Sequence, residues 1–300
     1  MIKVLIFGSS GFVGAALVKY MSELGYSVSG CDIINNDEKE YLNAFYFAQD
    51  NQESLNEIFL SNYDVCINCA GSASVAYSFE NPFKDYELNT RIVFRILSSI
   101  KKESPECRFI NLSSAAVYGN PASLPIKEED PVNPVSIYGN HKFMSEMICR
   151  QFYDYFKIQT CSLRIFSAYG PGLQKQLFWD MYQKTIKSKS INLFGTGNET
   201  RDFIYIKDLV KAIELIVSEK KFKYREINIA NGTEVSIRQA AEIFYSLYDP
   251  SIKFEFSGEE KPGDPKNWKA NIAVLKSFDY KTEYGIEEGI AEYVEWLKKL

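Results

Sequence analysis

A glycine-rich loop directly after a short apolar run constrains the fold of this chain more than any other stretch. The run covers residues 2–7, the loop covers residues 8–14, and apolar residues resume over 15–21. This order predicts a strand, a tight turn and a helix, with backbone N–H groups exposed at the start of the helix. Glycines are needed because a Cβ would hold a phosphate away from those N–H groups and from the helix dipole. The loop therefore predicts a pyrophosphate site.

A second apolar stretch places an acidic residue where such a loop needs one. Residues 26–31 predict a strand that ends at Asp32, about 20 residues past the loop, where dinucleotide-binding folds carry a ribose-binding acid. An acid there accepts the ribose hydroxyls of NAD and repels the 2′-phosphate of NADP, so we expect NAD as the cofactor. The alternative is a glycine turn beside a surface aspartate. Asp50 ends a third short strand, where it either meets the adenine edge or caps the next helix.

The composition is ordinary for a soluble globular enzyme and argues against several other classes of protein. The 300 residues are 46% hydrophobic and 24% charged, and a net charge of −5 provides no basic surface for nucleic acid. An anionic substrate would then require a local cluster of Lys and Arg. We find no apolar run long enough to cross a bilayer and no leader before the first strand, so we expect a cytoplasmic protein without a membrane partner.

The cysteine pattern gives no support for metal or disulfide chemistry. Most of the six cysteines lie in apolar, strand-like runs, which favours reduced, buried thiols. Cys66 and Cys69 have the spacing of a zinc or redox motif, but they lie in a predicted core strand, and His141 is the single histidine of the chain. We therefore expect no metal ion.

Strands and helices alternate through the first half of the chain. After the first three strands, further strands are predicted at residues 65–70, 108–114 and 161–166, with helices at residues 83–100 and 138–156. This alternation predicts an α/β fold with a Rossmann-type doubly wound parallel sheet and a ligand at the carboxyl ends of the strands.

The regular alternation weakens beyond residues 170–172, which predicts a second unit. Residues 1–166 are expected to form the NAD-binding Rossmann domain. Residues 167–300 are expected to form a smaller α/β lobe that binds the substrate, with part of residues 201–230 returning to the first domain.

A tyrosine and a lysine one helical turn apart are the candidate catalytic pair. Tyr138 and Lys142 are spaced i and i+4, which places both on one face of a helix. A phenol has a pKa of about 10, so a tyrosine base near pH 7 needs a shift of about three units, or about 4 kcal/mol. A nearby ammonium and an oxidised nicotinamide can together supply that amount. Ser114 ends the preceding strand, where its hydroxyl can donate to a substrate oxygen.

Several motifs occur in a fixed order along the chain. They are the glycine loop, residues 114–119, Tyr138 with Lys142, residues 163–166 followed by 169–172, residues 201–205 and residues 261–264. In this order they resemble the extended short-chain dehydrogenase/reductase family, specifically its NAD-dependent nucleotide-sugar epimerases and dehydratases. The resemblance covers nearly the whole chain.

The resemblance implies roles for individual residues. It implies a catalytic trio of Ser114, Tyr138 and Lys142. For the dinucleotide it implies contacts from the glycine loop, the strand ends and the catalytic helix, namely Gly8, Ser10, Gly11, Phe12, Val13, Gly14, Asp32, Asp50, Ala70, Gly71, Asn89, Tyr138, Lys142 and Phe166. For the substrate it implies contacts from Ser114, Tyr138, Ser167, Phe194, Arg201, Lys261 and Asp264, with Arg201 and the Lys261 region on the diphosphate and Phe194 beside the base.

Departures from the family pattern narrow the reaction. Ala115 and Ala116 stand where 4,6-dehydratases usually carry an acid, and elimination of water needs an acid and a base, so dehydration is not expected. Ser167 replaces the asparagine of many 4-epimerases, and Lys261 replaces an arginine, which leaves the nucleotide and the sugar open. His141 stands where a serine is common and is interpreted as a helix residue facing its neighbour, with a catalytic role as the alternative.

The expected function is NAD-dependent C4 epimerisation of a nucleoside-diphosphate hexose of the UDP-glucose or UDP-galactose type, through a transient 4-keto sugar. The alternative is an NAD(P)H-dependent reductase of 4-keto-6-deoxyhexose nucleotides, in which the site runs once and releases oxidised cofactor. A dinucleotide sensor without catalysis is a third interpretation. The resemblance also implies a homodimer joined through a four-helix bundle that includes the Tyr138 helix, and a setting in surface-polysaccharide biosynthesis.

Overall fold

The computed structural model describes residues 1–34, 39–222, 225–259, 263 and 265–300. Within these ranges the chain forms twelve strands: β1 (Lys3–Phe7), β2 (Ser27–Asp32), β3 (Ala44–Phe47), β4 (Val65–Asn68), β5 (Arg108–Ser114), β6 (Thr160–Ile165), β7 (Ser167–Tyr169), β8 (Ser190–Leu193), β9 (Thr200–Tyr205), β10 (Glu226–Ile229), β11 (Glu234–Ser236) and β12 (Lys253–Phe256).

The same ranges contain eleven α-helices: α1 (Phe12–Glu23), α2 (Gln52–Phe59), α3 (Val75–Glu80), α4 (Pro82–Tyr86), α5 (Ile92–Glu103), α6 (Ile137–Phe156), α7 (Gln176–Lys187), α8 (Ile206–Ser218), α9 (Ile237–Tyr248), α10 (Ala273–Lys276) and α11 (Ile286–Leu297). Short 3-10 helices cover Lys39–Tyr41 and Ala115–Val117, and a π-helical turn covers Glu87–Arg91. None of the helices in the described ranges is both long and apolar enough to cross a membrane.

A parallel sheet of seven strands, counted over the described residues, forms the centre of the molecule. Its order is β10-β6-β5-β4-β1-β2-β3, and each neighbouring pair is parallel. Alternate residues of β1 point to opposite faces: Val4 and Ile6 join one apolar cluster, with α1 residues, and Leu5 and Phe7 join another, with α2 and α5 residues. Helices therefore cover both faces, and the predicted doubly wound α/β fold is confirmed.

The second half of the chain adds two small sheets and returns once to the large one. One sheet has the order β11-β9-β7, and β12 pairs with β8. The strand β10 forms an edge of the large sheet beside β6, and α8 packs on α1, where the Tyr26 hydroxyl donates to Glu214 at 2.6 Å. The division into domains at residue 166 stays a prediction.

The segment predicted as one helix over residues 83–100 is built differently. It consists of α4, the π-helical turn Glu87–Arg91 and α5. A π turn inserts one extra residue into the helical ladder, and such turns occur frequently at functional sites. Here the turn buries Asn89 and Thr90 toward the interior.

Candidate active site

The predicted phosphate loop connects β1 to α1 with its glycines in close contact. Gly8 has φ +73°, and its N–H donates to the Cys31 carbonyl at 2.8 Å. A Cβ on Gly14 would lie 2.0 Å from the Gly8 carbonyl oxygen, so no other residue fits there without a shift of the backbone. Gly11 precedes α1, and neither a side-chain cap nor an acidic residue occupies the first turn of this helix. The first backbone N–H groups of α1 therefore remain open to an anion.

Asp32 lies against this loop. One carboxylate oxygen accepts the N–H of Ser10 at 2.8 Å, and the other accepts the N–H of Ile33 at 2.7 Å. The carboxylate thus lies at the carboxyl end of β2, beside the loop that precedes α1, as a ribose-binding acid would.

Asp50 is placed away from the helix cap. The residue that caps α2 is Asn51, whose side chain accepts the Ser54 N–H at 2.8 Å, so the capping alternative for Asp50 is wrong. Asp50 instead pairs with Arg95 at 2.7 Å and with Arg91 at 3.4 Å on the surface. Its contact with adenine stays a prediction.

The ends of β1 and β4 meet beside the π-helical turn. A Cβ on Gly8 would lie 2.6 Å from the backbone nitrogen of Ala70. A Cβ on Gly71 would lie 2.6 Å from Asn89 Oδ1 and 3.4 Å from Lys142 Nζ. The glycine loop, the end of β4, Asn89 and Lys142 are therefore brought together, although they are far apart in the sequence.

These residues fit a bound dinucleotide. The glycine cradle and the open first turn of α1, which begins with Phe12 and Val13, suit a pyrophosphate. Asn89 Oδ1 is buried and accepts no hydrogen bond from any described residue, and a buried acceptor of this kind calls for a donor such as a ribose hydroxyl.

The catalytic trio is assembled by close packing of α6 on the turn after β5. Ser136 caps α6 by accepting the Gly139 N–H at 3.0 Å. Gly139 permits the approach, because a Cβ there would lie 2.6 Å from the Ala116 carbonyl oxygen. This contact places Tyr138 beside Ser114, whose hydroxyl acts to lower the pKa of the Tyr138 phenol.

Lys142 lies one turn further along α6, with only 6% of its surface exposed. Its Nζ donates to the Leu112 carbonyl at 2.8 Å and lies 5.9 Å from the centre of the Tyr138 ring. The ammonium is thereby held by β5, the same strand that ends at Ser114.

Burial dominates the electrostatics of the trio. It raises the pKa of Tyr138 to about 12, although the Ser114 hydroxyl works in the opposite direction. It also lowers the pKa of Lys142 to about 8. In the protein alone, desolvation of the phenolate outweighs the other influences on this pKa. The predicted lowering by the ammonium and an oxidised nicotinamide together stays a prediction.

The remaining predicted substrate residues lie at the carboxyl end of β6 and in the second half of the chain. The Phe166 ring is buried against Trp268, with 5.9 Å between the ring centres, and its N–H donates to the Ile229 carbonyl. Ser167 follows in β7. Phe194 is exposed, with Lys184 Nζ 5.2 Å from its ring centre.

Arg201 is largely buried and donates to the Thr200 and Lys266 carbonyls at 2.8 and 3.2 Å. Lys261 and Asp264 lie outside the described residues. The roles of all these residues toward the substrate stay predictions.

Two features of the site were missed by the sequence analysis. Lys175, the residue before α7, is exposed as a whole residue, while partial desolvation of its ammonium by the surrounding atoms lowers its pKa. Its charge also acts on Lys142, and no ion pair with it is found in the described part of the chain. Asp85, in α4, is fully buried beside His141. No local sequence signal identifies Asp85, whereas the position of Lys175 after residues 170–172 would have suggested the cleft.

Comparison with known proteins identifies the family. A family model described as the NAD dependent epimerase/dehydratase family matches residues 4–230. The chain belongs to this family. A putative UDP-glucose 4-epimerase of Methanocaldococcus jannaschii is 30% identical to it, over 98% of both chains.

Solved structures extend the comparison. A UDP-glucuronic acid 4-epimerase from Bacillus cereus, solved with UDP-glucuronic acid and NAD, is 26% identical and superposes with a TM-score of 0.89 over 99% of each chain. The NDP-hexosamine 5,6-dehydratase TunA shares the fold, with 22% identity and a TM-score of 0.88 over 100% of this chain and 99% of its own. The chain thus belongs to the NAD-dependent nucleotide-sugar epimerases and dehydratases of the extended short-chain dehydrogenase/reductase family, as the sequence motifs indicated.

Proposed function

We propose that this enzyme interconverts nucleoside-diphosphate hexoses of the UDP-glucose type that differ at C4, through a transient 4-keto sugar. The observation that carries the proposal is the placement of the Tyr138 phenol beside the Ser114 hydroxyl, with the buried ammonium of Lys142 one helical turn away. A phenol, an alcohol and an ammonium are the groups needed to move a proton on and off a secondary hydroxyl while its carbon changes oxidation state.

Each member of the trio has a distinct task in this proposal. Tyr138 takes the proton of the sugar 4-hydroxyl and returns it once the carbonyl is reduced on its other face. Ser114 donates a hydrogen bond to the same oxygen, and Lys142 holds a ribose hydroxyl and stabilises the phenolate. When bound, NAD supplies a reversible hydride acceptor and a positive charge near the phenol. Gly8, Gly11, Gly14, Asp32 and the open N–H groups of α1 are the residues that would hold it.

The turn after Ser114 supports epimerisation over dehydration. Ala115 and Ala116 form the 3-10 helix there, and both are buried. A 4,6-elimination needs an acid and a base near the C5–C6 bond, and this turn provides neither.

The reductase with a 4-keto-6-deoxyhexose nucleotide as substrate remains the second candidate, because the same trio would serve a single reduction. Lys175 bears on the choice of sugar in either case. It forms no ion pair with any described residue and its charge reaches Lys142, which suits a substrate that brings an anionic group to this end of the site. UDP-glucuronate therefore belongs among the test substrates beside UDP-glucose.

We further propose a homodimer. Three aromatic side chains on adjacent surfaces of α5 and α6 lie close together: Phe94 contacts Phe152 at 5.6 Å between ring centres, and Phe152 contacts Phe156 at 5.3 Å. Phe94 is 51% exposed, and an apolar face on two helices suits a second copy of the same pair of helices. The cytoplasm and surface-polysaccharide biosynthesis are the setting we expect for such an enzyme.

Proton NMR of the purified protein tests the reaction. The protein is incubated without added cofactor, in separate tubes, with UDP-glucose, UDP-galactose, their N-acetyl counterparts and UDP-glucuronate. Formation of the C4 epimer in one tube is the expected result and names the substrate. If every tube stays unchanged while NADH is oxidised by a 4-keto-6-deoxy sugar nucleotide, the enzyme is the reductase.

A tyrosine variant tests the mechanism. We expect Tyr138→Phe to lower kcat by at least about 100-fold while NAD still binds, because general base catalysis contributes that much. Tyr153→Phe is the matched control on the same helix, and it should retain its turnover. Near-normal turnover of Tyr138→Phe would refute the assignment of the base.

A further inference from the structure

A buried carboxylate lies behind the catalytic trio and has no part in the mechanism above. Asp85 is 0% exposed, and both of its carboxylate oxygens are paired. One oxygen lies 2.6 Å from His141 Nδ1, and the other accepts Asn89 Nδ2 at 3.0 Å. The three side chains come from α4, the π-helical turn and α6. A carboxylate is costly to bury, so a pair that only joined helices could be replaced by apolar residues at little loss.

The carboxylate determines how the Asn89 amide is oriented. An ionised carboxylate only accepts hydrogen bonds, so the NH2 group of Asn89 must face Asp85 and the carbonyl oxygen must face away from it. That oxygen, Oδ1, is the buried acceptor without a partner in the described ranges. A Cβ on Gly71 would lie 2.6 Å from this oxygen and 3.4 Å from Lys142 Nζ, so both atoms border the same small space. Asp85 therefore aims an acceptor at the space beside the catalytic ammonium.

His141 fixes Asp85 in turn and directly precedes Lys142 in α6. Its side chain is 12% exposed, its backbone carbonyl accepts the Thr90 hydroxyl at 2.9 Å, and its ring packs edge-on against Tyr86. The interpretation of His141 as a helix residue facing its neighbour thus omits the contact of its ring with Asp85 in α4.

We propose that Asp85, held by His141, is a positioning residue that keeps Asn89 Oδ1 facing Lys142 and keeps the Lys142 ammonium charged during the reaction. The proposal rests on the function proposed above. Asp85 does not touch the reacting atoms and acts through Asn89 and Lys142.

The charges around the trio support this role. Among the titratable groups of the described residues that act on Lys142, Asp85 from α4 and Glu146 from α6 favour the ammonium, and Lys175 opposes it. Cys69, at the end of β4, would favour it only as a thiolate, and burial raises the pKa of this thiol. After desolvation, Asp85 has the largest effect on the Lys142 pKa. Asp85 also raises the pKa of Tyr138, against the effect of the Ser114 hydroxyl. Removal of the Asp85 charge should therefore lower both pKa values together.

The pH dependence of kcat in Asp85→Asn tests the proposal. In the complex with NAD, the positive charge of the nicotinamide would lower the pKa of the Tyr138 phenol below its value in the protein alone. Tyr138 must then lose a proton and Lys142 must keep one, so they govern the acid and the alkaline limb respectively. We expect both limbs of the variant to move to lower pH, the alkaline one by about one pH unit, since one buried charge has been removed. His141→Asn is the matched control, because an amide at this position still donates to Asp85 and leaves its charge in place. Its limbs should move less than half as far.

A second measurement does not depend on turnover. NAD affinity is measured by calorimetry from pH 6 to pH 9.5 in the wild type and in both variants, since Lys142 is the candidate ligand of a ribose hydroxyl. The pH at which affinity declines should fall by about one unit in Asp85→Asn. If no sugar nucleotide is turned over but this shift is found, the reaction is wrongly assigned and the positioning role stands. If both variants only lower the melting temperature and the decline in NAD affinity stays at the wild-type pH, Asp85 is structural and the proposal is overturned.

Discussion

Replacement of Lys142 by methionine should abolish turnover and, at neutral pH, make the protein more stable. Lys142 is 6% exposed, and burial lowers its pKa from 10.5 to about 8. At pH 7 the charged ammonium must be buried when the chain folds, which lowers the free energy of unfolding. As the pH rises from about 8 to 10.5, the folded protein releases a proton that the unfolded chain still binds, so this destabilisation disappears. A methionine of similar length carries no charge and no such penalty.

The magnitude follows from the shift. A difference of 2.5 units corresponds to about 3 kcal/mol of destabilisation at pH 7. Against this, the variant loses the hydrogen bond from Lys142 Nζ to the Leu112 carbonyl, which costs about 1 to 2 kcal/mol when a buried acceptor is left without a donor. Lys142→Met should therefore be more stable than the wild type by about 1 to 2 kcal/mol at pH 7.

The pH dependence separates this cause from a simple gain in packing. Urea unfolding of the cofactor-free proteins gives the free energy of unfolding at pH 7, 8 and 9. From pH 7 to pH 9 the wild type should gain about 1.3 kcal/mol relative to Lys142→Met. Lys276→Met, an exposed position on α10, is the control and should show no such trend. A difference between wild type and Lys142→Met that stays constant from pH 7 to pH 9 would refute the reasoning.

Three further predictions follow from other contacts. Gly14→Ala should lose measurable NAD binding by calorimetry, because its Cβ would lie 2.0 Å from the Gly8 carbonyl oxygen. The control Gly25→Asn, just past the other end of α1, should still bind NAD, because nothing lies within 4 Å of a Cβ there. Normal NAD affinity in Gly14→Ala would contradict the close contact. Glu146→Gln should lower the free energy of urea unfolding by about 3 kcal/mol, since Glu146 and Arg164 are each 1% exposed and form an ion pair at 2.8 Å. The control Glu295→Gln, in the exposed pair with Lys298, should change it by less than about 0.5 kcal/mol. Equal effects of the two substitutions would show that burial of the pair is unimportant. Sedimentation should find a wild-type dimer that Phe94→Glu dissociates and Leu60→Glu, on an exposed residue after α2, does not; a wild-type monomer would refute the proposed interface.

Features that depend on residues close together in the chain could be predicted from the sequence alone. The glycine loop predicts its own turn because the strand, the glycines and the helix are consecutive, and Asp32 follows at a distance set by one helix and one strand. Tyr138 and Lys142 share a face because four residues make about one helical turn. Most elements of the large sheet were predicted on the same grounds, since buried parallel strands are continuous apolar runs.

Contacts between residues that are far apart in the sequence could be seen only in the folded structure. The approach of Gly139 to Ala116, the π-helical turn that buries Asn89, and the pairing of Asp85 with His141 across 56 residues leave no periodic signal in the sequence. The rise in the Tyr138 pKa in the protein alone could not be predicted from the sequence, because desolvation depends on every atom packed around the phenol and not on the spacing of Lys142. Local chemistry can therefore be predicted from the sequence, whereas burial and the contacts between elements exist only once the chain has folded.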